Sequence, residues 1–420
     1  MAFAFACALA ACIGLARTSP NTSCSDWTWT VPDTLTGPER SRVYIESPEI
    51  ILRRDSVILL GSPSIATDSK GGVVPVHQDD RTMPLFAGVR LSLAARQPGI
   101  APSQPIVLPD GIERMGILRA GQTANGDIGV VFRGPNQHAD SLSPYSTVWT
   151  SLLQTHGWTK PAVLLPPAAG VLWSGSMIST VAHGGSGDLI SAPLALWDST
   201  QLLRLGVSGW TARTVLVPQH SYSAIAELVP GKVLLLARTA ATTAFPNGAL
   251  FISRSDDDGL TWTQTAVLPT PLNAVAHHTR LVRVSQQTVA LAWIEERKDS
   301  DSSSAVRLAQ SSDFGSTWGH AAPLPISGQP TDLRATSDGR GRVHVVIDST
   351  AANGSAPRHL VWDGARWHRS TPQAPGGSVV PTPNVAALGR DSVLLVWAMF
   401  RGDGMPPITM LSVGRAACTR

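Results

Sequence analysis

The pattern Ser-x-Asp-x-Gly-x-Thr-Trp occurs twice in this chain, at residues 255–262 and 311–318. Each copy stands between two runs of alternating apolar residues, a pattern typical of β-strands. The Ser and Asp side chains can bond turn amides, and the Gly can adopt positive φ without steric cost. Each copy therefore predicts a β-hairpin turn whose Trp begins the returning strand and presents a large apolar surface to a neighbouring unit. The predicted structural residues are Ser255, Asp257, Gly259 and Trp262 in the first copy and Ser311, Asp313, Gly315 and Trp318 in the second.

Tryptophans recur at intervals of roughly 50 residues, a spacing characteristic of β-propeller blades. They are Trp158, Trp210, Trp262, Trp318 and Trp367. The composition of 37 Gly, 32 Pro and 13 Trp suits short strands joined by tight turns. No long stretch repeats apolar residues at helical spacing, which argues against a mixed α/β fold.

The last repeat unit lacks a fourth strand, and a matching segment occurs at the other end of the chain, at 26–31. An N-terminal strand that completes the last unit removes two open sheet edges. We therefore predict an all-β domain over residues 24–420: one seven-bladed β-propeller of four-stranded antiparallel blades, closed by the N-terminal strand. A six-bladed ring is the alternative.

Residues 1–20 are predicted to be a signal peptide or a lipoprotein leader, because the segment is apolar and contains Leu9-Ala10-Ala11-Cys12, which resembles a lipobox. We expect an exported protein, periplasmic or on the outer surface, and lipidation of Cys12 stays open beside an ordinary signal peptide. Of the remaining cysteines, Cys24 and Cys418 lie near the two ends of the mature chain. In an oxidising compartment they form one disulfide or remain two unpaired thiols, and ring closure favours the disulfide.

The repeated pattern resembles the Asp box, or BNR repeat, of the sialidase-superfamily β-propellers. In such a fold the resemblance implies a structural role for the turns. A four-stranded meander places the start of strand one and the end of strand two on the opposite face, where function is expected around the central channel. The residues predicted at these positions are Glu46, Tyr222, His278, Asp332 and Thr382 for strand one, and Arg133, Arg238 and Glu295 for strand two.

The run from His220 to Arg238 is similar to the sialidase segment that carries the catalytic Glu and a carboxylate-binding Arg. Arg238 matches that Arg, but Tyr222 stands at the Glu position and Glu46 stands where the family has its first Arg. A sialidase needs clustered guanidinium groups for the substrate carboxylate and a Tyr activated by a Glu. The resemblance therefore does not imply sialidase activity. The catalytic candidates are Glu46, Tyr222 and Asp332, and the ligand-binding candidates are Arg133, Arg238, His278 and Glu295.

The formal net charge is +3 and there is no Lys/Arg run, so the charge gives no support for nucleic-acid binding, and no nucleic-acid partner is expected. No metal site and no cofactor are predicted, since no HExxH motif or cysteine pair stands near His277 and His278. The first functional hypothesis is an exported or membrane-anchored, non-enzymatic propeller that binds a protein or glycan partner as a scaffold. The alternative is a divergent sialidase-like glycoside hydrolase or lyase acting at the channel mouth through a carboxylate pair.

Overall fold

A computed structural model describes most of the chain from residue 26 onward. The described residues are 26–34, 42–52, 56–67, 73–74, 87–92, 117–123, 125–134, 147–165, 179–184, 187–193, 199–206, 208–216, 221–238, 243–246, 248–269, 274–297, 304–320, 323–326, 328, 330, 332–348, 357–370, 372, 378–400 and 408–417. Every regular element in these ranges is a β-strand, and every strand pairing is antiparallel. The prediction of an all-β chain built from antiparallel sheets is confirmed. Within the same ranges there is no helix that could span a membrane.

The strands form seven sheets, numbered here in chain order. The first four comprise sheet 1 with β3 (Arg42–Leu52), β4 (Ser56–Thr67), β5 (Val73–Val74) and β6 (Ala87–Ser92); sheet 2 with β7 (Ile117–Gln122), β8 (Ile128–Gly134), β9 (Thr147–Gln154), β10 (Gly157–Trp158) and β11 (Ala162–Leu165); sheet 3 with β12 (Ser179–Gly184), β13 (Gly187–Pro193), β14 (Ser199–Gly206) and β15 (Gly209–Leu216); and sheet 4 with β16 (Ser221–Val229), β17 (Lys232–Arg238), β18 (Ala249–Ser255) and β19 (Thr263–Pro269).

The remaining sheets follow the same meander order. They are sheet 5 with β20 (Ala274–Arg283), β21 (Val289–Arg297), β22 (Ser304–Ser311), β23 (Gly319–His320) and β24 (Leu324–Ile326); sheet 6 with β25 (Leu333–Ser337), β26 (Val343–Ile347), β27 (Arg358–Trp362) and β28 (Trp367–Ser370); and sheet 7 with β29 (Ser378–Ala387), β30 (Ser392–Phe400), β31 (Ile408–Ala417), β1 (Asp26–Trp29) and β2 (Asp33–Thr34). In sheets 2, 5 and 7 the fourth strand is divided into two short pieces. Both pieces pair with the third strand of the sheet, which is β9, β22 or β31.

Apolar side chains on both faces of each sheet pack against the neighbouring sheets. In β21, for example, Leu291 and Trp293 join a cluster shared with sheet 4, whereas Ala292 and Ile294 join a cluster shared with sheet 6. Second strands are consequently buried almost throughout, as in β21 and β26. Such two-faced burial is the main favourable contribution to the stability of stacked sheets.

The first strands of the seven sheets lie beside one another in chain order. Contacts join β3 to β7, β7 to β12, β12 to β16, β16 to β20, β20 to β25 and β25 to β29, and β29 in turn contacts β3. At the outer edge of sheet 7, the N-terminal β1 pairs with the C-terminal β31, from Asp26 opposite Ala417 to Trp29 opposite Gly414. Both ends of the described chain therefore belong to one sheet. Cys12, Cys24 and Cys418 lie outside the described residues, so lipidation and the disulfide stay predictions.

The two repeated turns have the same hydrogen bonds. In the first, the Ser255 hydroxyl accepts from the Gly259 amide at 2.6 Å and donates to Asp257 at 2.7 Å. Asp257 also accepts from the amide and the hydroxyl of Thr261 at 2.8 and 2.6 Å. The Trp262 indole then donates to the Gly259 carbonyl at 3.1 Å. The equivalent bonds at residues 311–318 are within 0.2 Å of these distances.

Left-handed backbone in each turn extends over two residues, the Gly and the residue before it. Asp258 and Gly259 have φ of 62° and 78°, and Phe314 and Gly315 have 59° and 81°. A Cβ on Gly315 would lie 2.8 Å from Leu234 of sheet 4, so this Gly also permits close packing between sheets. The Trp residues that follow the turns pack on clusters shared with the preceding sheet, Trp262 towards sheet 3 and Trp318 towards sheet 4. These Trp residues therefore pack against a neighbouring sheet, as predicted.

Sheet 1 differs from the predicted strand boundaries. Strand β3 begins at Arg42, and Glu46 lies inside it opposite Ser62, so the placement of Glu46 at the start of strand one was wrong. The physical reason is a long hairpin extension in which β4 runs on to Thr67. Strand β3 continues past Pro48 through a register shift between Glu46 and Glu49. A proline is tolerated there because the hydrogen-bond ladder is interrupted.

Candidate functional site

The edge where first strands begin is irregular in six of the seven sheets. The pairing of the first strand with the second shifts register in β3, β7, β12, β16, β20 and β29. Bulges of this kind reorient side chains and are frequent beside active sites and binding sites. The edge where functional residues were predicted is therefore also where the regular ladder is interrupted.

In sheets 4, 5 and 6 this edge carries a continuous group of polar side chains, which we name the rim cluster. Its members are Arg238, His277, His278, Arg280, Glu296 and Asp332. Arg238, the last residue of β17, donates from Nη1 to the carbonyl of Ala276 at 2.8 Å and lies 3.4 Å from Nδ1 of His277. Nε2 of His277 is 3.3 Å from the Glu296 carboxylate. These contacts join sheet 4 to sheet 5.

His278 occupies the bulge in β20 and has left-handed backbone, with φ of 50°. A non-glycine residue in this conformation carries backbone strain, which is concentrated at functional sites in proteins. Its Nδ1 lies 3.8 Å from the Asp332 carboxylate of sheet 6. Burial lowers the pKa of His278, an effect that Asp332 opposes and Arg280 reinforces. The imidazole is thus neutral at pH 7 and can both donate and accept a hydrogen bond.

Asp332 precedes β25 and is held by cations from two sheets. Arg280 of β20 approaches its Oδ1 at 3.2 Å, and Arg334 of β25 approaches Oδ2 at 3.0 Å. The Asp332 amide donates to Asp348 at 3.0 Å. Burial raises the pKa of Asp332, but Arg334, Arg280 and His278 together outweigh burial and hold this pKa below its ordinary value. Asp332 is therefore a fixed carboxylate that accepts hydrogen bonds, and it has no proton to give as a general acid.

Glu295 lies outside this group of contacts. Its nearly buried side chain pairs with Arg307 on the next strand of sheet 5, with Nη2 to Oε1 at 2.9 Å and Nε to Oε2 at 2.5 Å. One hydrogen bond and this close ion pair hold the carboxylate beside the Arg307 guanidinium. We assign Glu295 to the support of the rim.

The other predicted residues lie on first and second strands of sheets 1, 2, 4 and 7. Tyr222 is the second residue of β16, Arg133 is next to last in β8, Glu46 is inside β3, and Thr382 is inside β29. His278 and Thr382 each lie four residues after the start of their strand, so their placement at the start of strand one was wrong, as it was for Glu46. In both cases the first strand begins before its register shift. Arg238 contacts His277, whereas Asp332 contacts His278 and Arg280. The two groups meet at the rings of His277 and His278, whose centroids are 6.2 Å apart.

Sequence reasoning missed Arg280, Glu296 and Arg334. Arg280 follows His278 by two residues, a spacing that puts both on one face of a regular strand. The bulge at His278 changes that geometry, and Asp332 arrives from another sheet, so no local pattern reveals the contacts. In the described residues, no group of three or more His, Cys, Asp or Glu side chains has a geometry that could hold a metal ion.

No family model and no curated protein matches this chain. Among solved structures, the chain is similar to a protein of unknown function from Dyadobacter fermentans, with 13% identity over 93% of this chain and 99% of the other and a TM-score of 0.50. It is also similar to the β-propeller domain of the trilobed protease from Pyrococcus furiosus, with 10% identity over 86% and 94% of the chains and a TM-score of 0.45. The NanB sialidase from Streptococcus pneumoniae matches with 11% identity over 91% of this chain and 70% of the other, at a TM-score of 0.42. At these identities the likeness is one of fold.

Proposed function

We propose that this chain is an exported, closed, seven-bladed β-propeller of the Asp-box type. Three observations support the proposal: the seven sheets, the successive contacts of the first strands, and the pairing of β1 with β31. A ring whose two ends share a sheet leaves no open edge between first and last blade. The leader at 1–20 supports export to an oxidising compartment, with Cys12 as the residue that a lipid would modify and Cys24 with Cys418 as the disulfide.

We further propose that the protein is a non-enzymatic binding module whose rim cluster binds a neutral glycan. The observation that carries this proposal is the joining of Arg238, His277, Glu296, His278 and Asp332 across two sheet boundaries, with His278 held in left-handed backbone. About a third of the His277, His278 and Glu296 side chains is exposed, at 33%, 35% and 38%. These groups are held by their partners and still face solvent, which suits recognition of a ligand.

The chemistry of the cluster favours hydroxyl groups over a carboxylate as its ligand. Arginines donate, carboxylates accept, and a neutral imidazole does both. A sugar hydroxyl can donate and accept at once, so it matches a surface that alternates donors with acceptors. The two arginines of the cluster, Arg238 and Arg280, are balanced by two carboxylates, Glu296 and Asp332, which leaves little net positive charge for an anionic ligand.

A protein partner is less well matched than a glycan. Protein interfaces centre on buried aromatic or apolar anchors. The large apolar side chains exposed in the described residues are Val31, Leu52, Val163 and Leu260. They come from four separate sheets or connections, and none of them belongs to the rim cluster. A single exposed apolar residue does not form an interface core.

The test is binding of the purified mature protein to a panel of neutral and acidic oligosaccharides, followed by calorimetry on the best neutral ligand. We expect Glu296→Gln and His278→Ala each to weaken binding by about 10-fold or more, because each removes a hydrogen bond that involves a charged or fixed group. Arg366→Gln is the control, since Arg366 lies in the turn between β27 and β28 with 66% of its side chain exposed.

Two outcomes would contradict the proposal. Unchanged affinity in both rim variants would show that the ligand does not bind at the rim cluster. Release of reducing ends from the bound glycan by the wild-type protein, lost in Glu296→Gln, would instead favour the alternative of a divergent sialidase-like glycoside hydrolase or lyase.

A further inference from the structure

A chain of three buried polar side chains lies between sheets 6 and 7, away from the rim cluster. Oδ2 of Asp338 is 3.1 Å from Nε2 of His344, and Nδ1 of His344 is 3.0 Å from Nε2 of His359. The two imidazole rings are stacked, with an interplanar angle of 10° and centroids 5.3 Å apart. Both histidines have no exposed surface, and Asp338 is buried with them.

The N-terminal strand covers these histidines. Trp27 of β1 packs edge-on against His344 and His359, with ring centroids at 5.1 and 5.4 Å, and Trp29 packs in the same way on His359 at 5.1 Å. The Trp29 indole donates to the Ser370 hydroxyl of sheet 6 at 2.7 Å. The backbone of β1 pairs with β31 of sheet 7, so β1 joins the two sheets and closes over the histidines.

Burial, which lowers the pKa of both histidines, and the hydrogen bonds together assign the neutral form to both rings. Besides His344, the Asp338 carboxylate accepts from Nε of Arg342 at 2.6 Å and from the amides of Arg340 and Arg342. Burial raises the pKa of Asp338, but the bonds from His344 and Arg342 outweigh burial and lower it, so the carboxylate is ionised. His344 must then donate from Nε2 and accept at Nδ1 from Nε2–H of His359. This leaves Nδ1 of His359 unprotonated, and it has no hydrogen-bond partner within the described part of the chain.

Burial and the Arg342 guanidinium oppose a further proton on the pair, whereas the Asp338 carboxylate favours one on His344. From the turn between β25 and β26 come Asp338 and Arg342, and Arg342 also lies over the Trp27 ring at 5.2 Å. From the turn before β30 comes Asp391, which is bound to Arg342 at 3.1 Å and to Arg340. The described side chains of β1 that touch the histidines are indoles, and β28 contributes the Ser370 hydroxyl. Burial lowers the pKa of His344, with Asp338 opposing, and burial, His344 and Arg342 lower that of His359 well below its ordinary value.

We propose that His344 and His359 form an acid-sensitive lock. The lock holds β1 against sheets 6 and 7 while both imidazoles are neutral and releases β1 when they take up protons. Withdrawal of Trp27 and Trp29 uncovers the rings and lets water solvate an imidazolium. Once uncovered, each histidine titrates near pH 6.5, its ordinary value, whereas under β1 it stays neutral at lower pH.

The sign and size of the effect follow from proton linkage. The released state binds more protons than the closed state below about pH 6.5, so the lock is at full strength above that pH and weakens as the pH falls. Between pH 7.5 and 5.5, each histidine that remains neutral in the closed state increases the opening equilibrium constant by about 10-fold. For the two together the increase is about 100-fold.

Hydrogen–deuterium exchange of the full-length mature protein measures this opening directly. We follow the amides of 26–34 at pH 7.5 and 5.5, corrected for the intrinsic pH dependence of exchange, with β17 as the internal reference. The expected result is a loss of protection of about 100-fold in 26–34 and no corrected loss in β17. In His359→Leu, which keeps an apolar buried side chain but cannot be protonated, the loss falls to about 10-fold.

His368→Gln is the matched control, because His368 lies on β28 of the same sheet and its Nε2 is hydrogen-bonded to the Asp363 carboxylate at 2.6 Å. We expect it to behave as wild type. Equal corrected protection of 26–34 at both pH values in the wild-type protein would overturn the proposal, whether or not His359→Leu folds. Equal loss of protection in 26–34 and β17 would also overturn it, because the acid effect would then be global unfolding.

Discussion

Asp257 and Asp313 show how much a single side chain contributes to this fold. Hydrogen bonds from the Thr261 hydroxyl and amide, followed by that of Ser255, lower the pKa of Asp257 to about 2. The corresponding bonds from Thr317, with Ser311, lower the pKa of Asp313 to about 2. Each carboxylate therefore accepts, in its ionised form, the donors that a tight turn leaves unpaired. The spacing of Ser, Asp, Gly and Trp could be interpreted from the sequence because all of these contacts are local.

Asp257→Asn should lower the melting temperature at neutral pH and have a diminishing effect in acid. The folded pKa lies below the unfolded value of 3.8, so the stabilisation is full above pH 4 and is lost as the pH falls towards 2. The measurement is the difference in melting temperature between variant and wild type at pH 7 and at pH 2. Asp256→Asn is the control, since Asp256 lies in the same turn but its exposed carboxylate pairs with Arg254 and Lys232. A difference that is the same at both pH values would contradict the assigned role.

Residues of the rim cluster could be predicted only in part. Arg238, His278 and Asp332 were found because they flank apolar strand patterns that can be read from the sequence. Their contacts could not be predicted, because His278 adopts left-handed backbone at a bulge and Asp332 comes from another sheet. Glu46 was misplaced since β3 and β4 continue beyond their apolar segments, past Pro48 and Gly61. Neither residue signals a strand continuation in sequence.

At the level of elements, the stability of sheet 7 depends on how closely its N-terminal strand packs on β31 and on sheet 6. The fourth strand of sheet 7 comes from the N-terminus, and its Trp29 lies directly against Gly414 of β31. Trp29 is also bonded to Ser370 and packed on His359, so its ring has little freedom to move. The position opposite it can therefore accommodate no side chain.

Gly414→Ala should destabilise the protein by about 1–3 kcal/mol, the usual cost of a methyl group forced into a filled site. The added Cβ would lie 2.8 Å from the Trp29 ring, well inside van der Waals contact. Urea unfolding measures the free-energy difference. Gly389→Ala is the matched control in the same sheet, because its Cβ would meet only the Ser392 hydroxyl, at 3.9 Å. Equal stability of the two variants would show that Trp29 does not pack as described.

In the molecule as a whole, the two ends of the described chain form one sheet. The sequence predicted this closure from the missing fourth strand and the Trp-rich segment at 26–31, and the structure pairs β1 with β31 in that place. The lock and the predicted disulfide both depend on this arrangement. Thr28 lies opposite Arg415, and the Thr28 side chain is exposed.

Cysteine cross-linking across this pair is the most direct test. Residues directly opposite in antiparallel strands have Cα atoms about 4.5–5.5 Å apart, a distance that a disulfide spans. We propose Thr28→Cys with Arg415→Cys in a Cys24→Ser/Cys418→Ser background, with Thr28→Cys and Val163→Cys as the control, since Val163 is exposed on sheet 2. After mild oxidation and proteolysis, mass spectrometry should find the 28–415 link in the folded protein and no 28–163 link. Absence of the 28–415 link, or equal yields of both links, would contradict closure of the ring by the N-terminal strand.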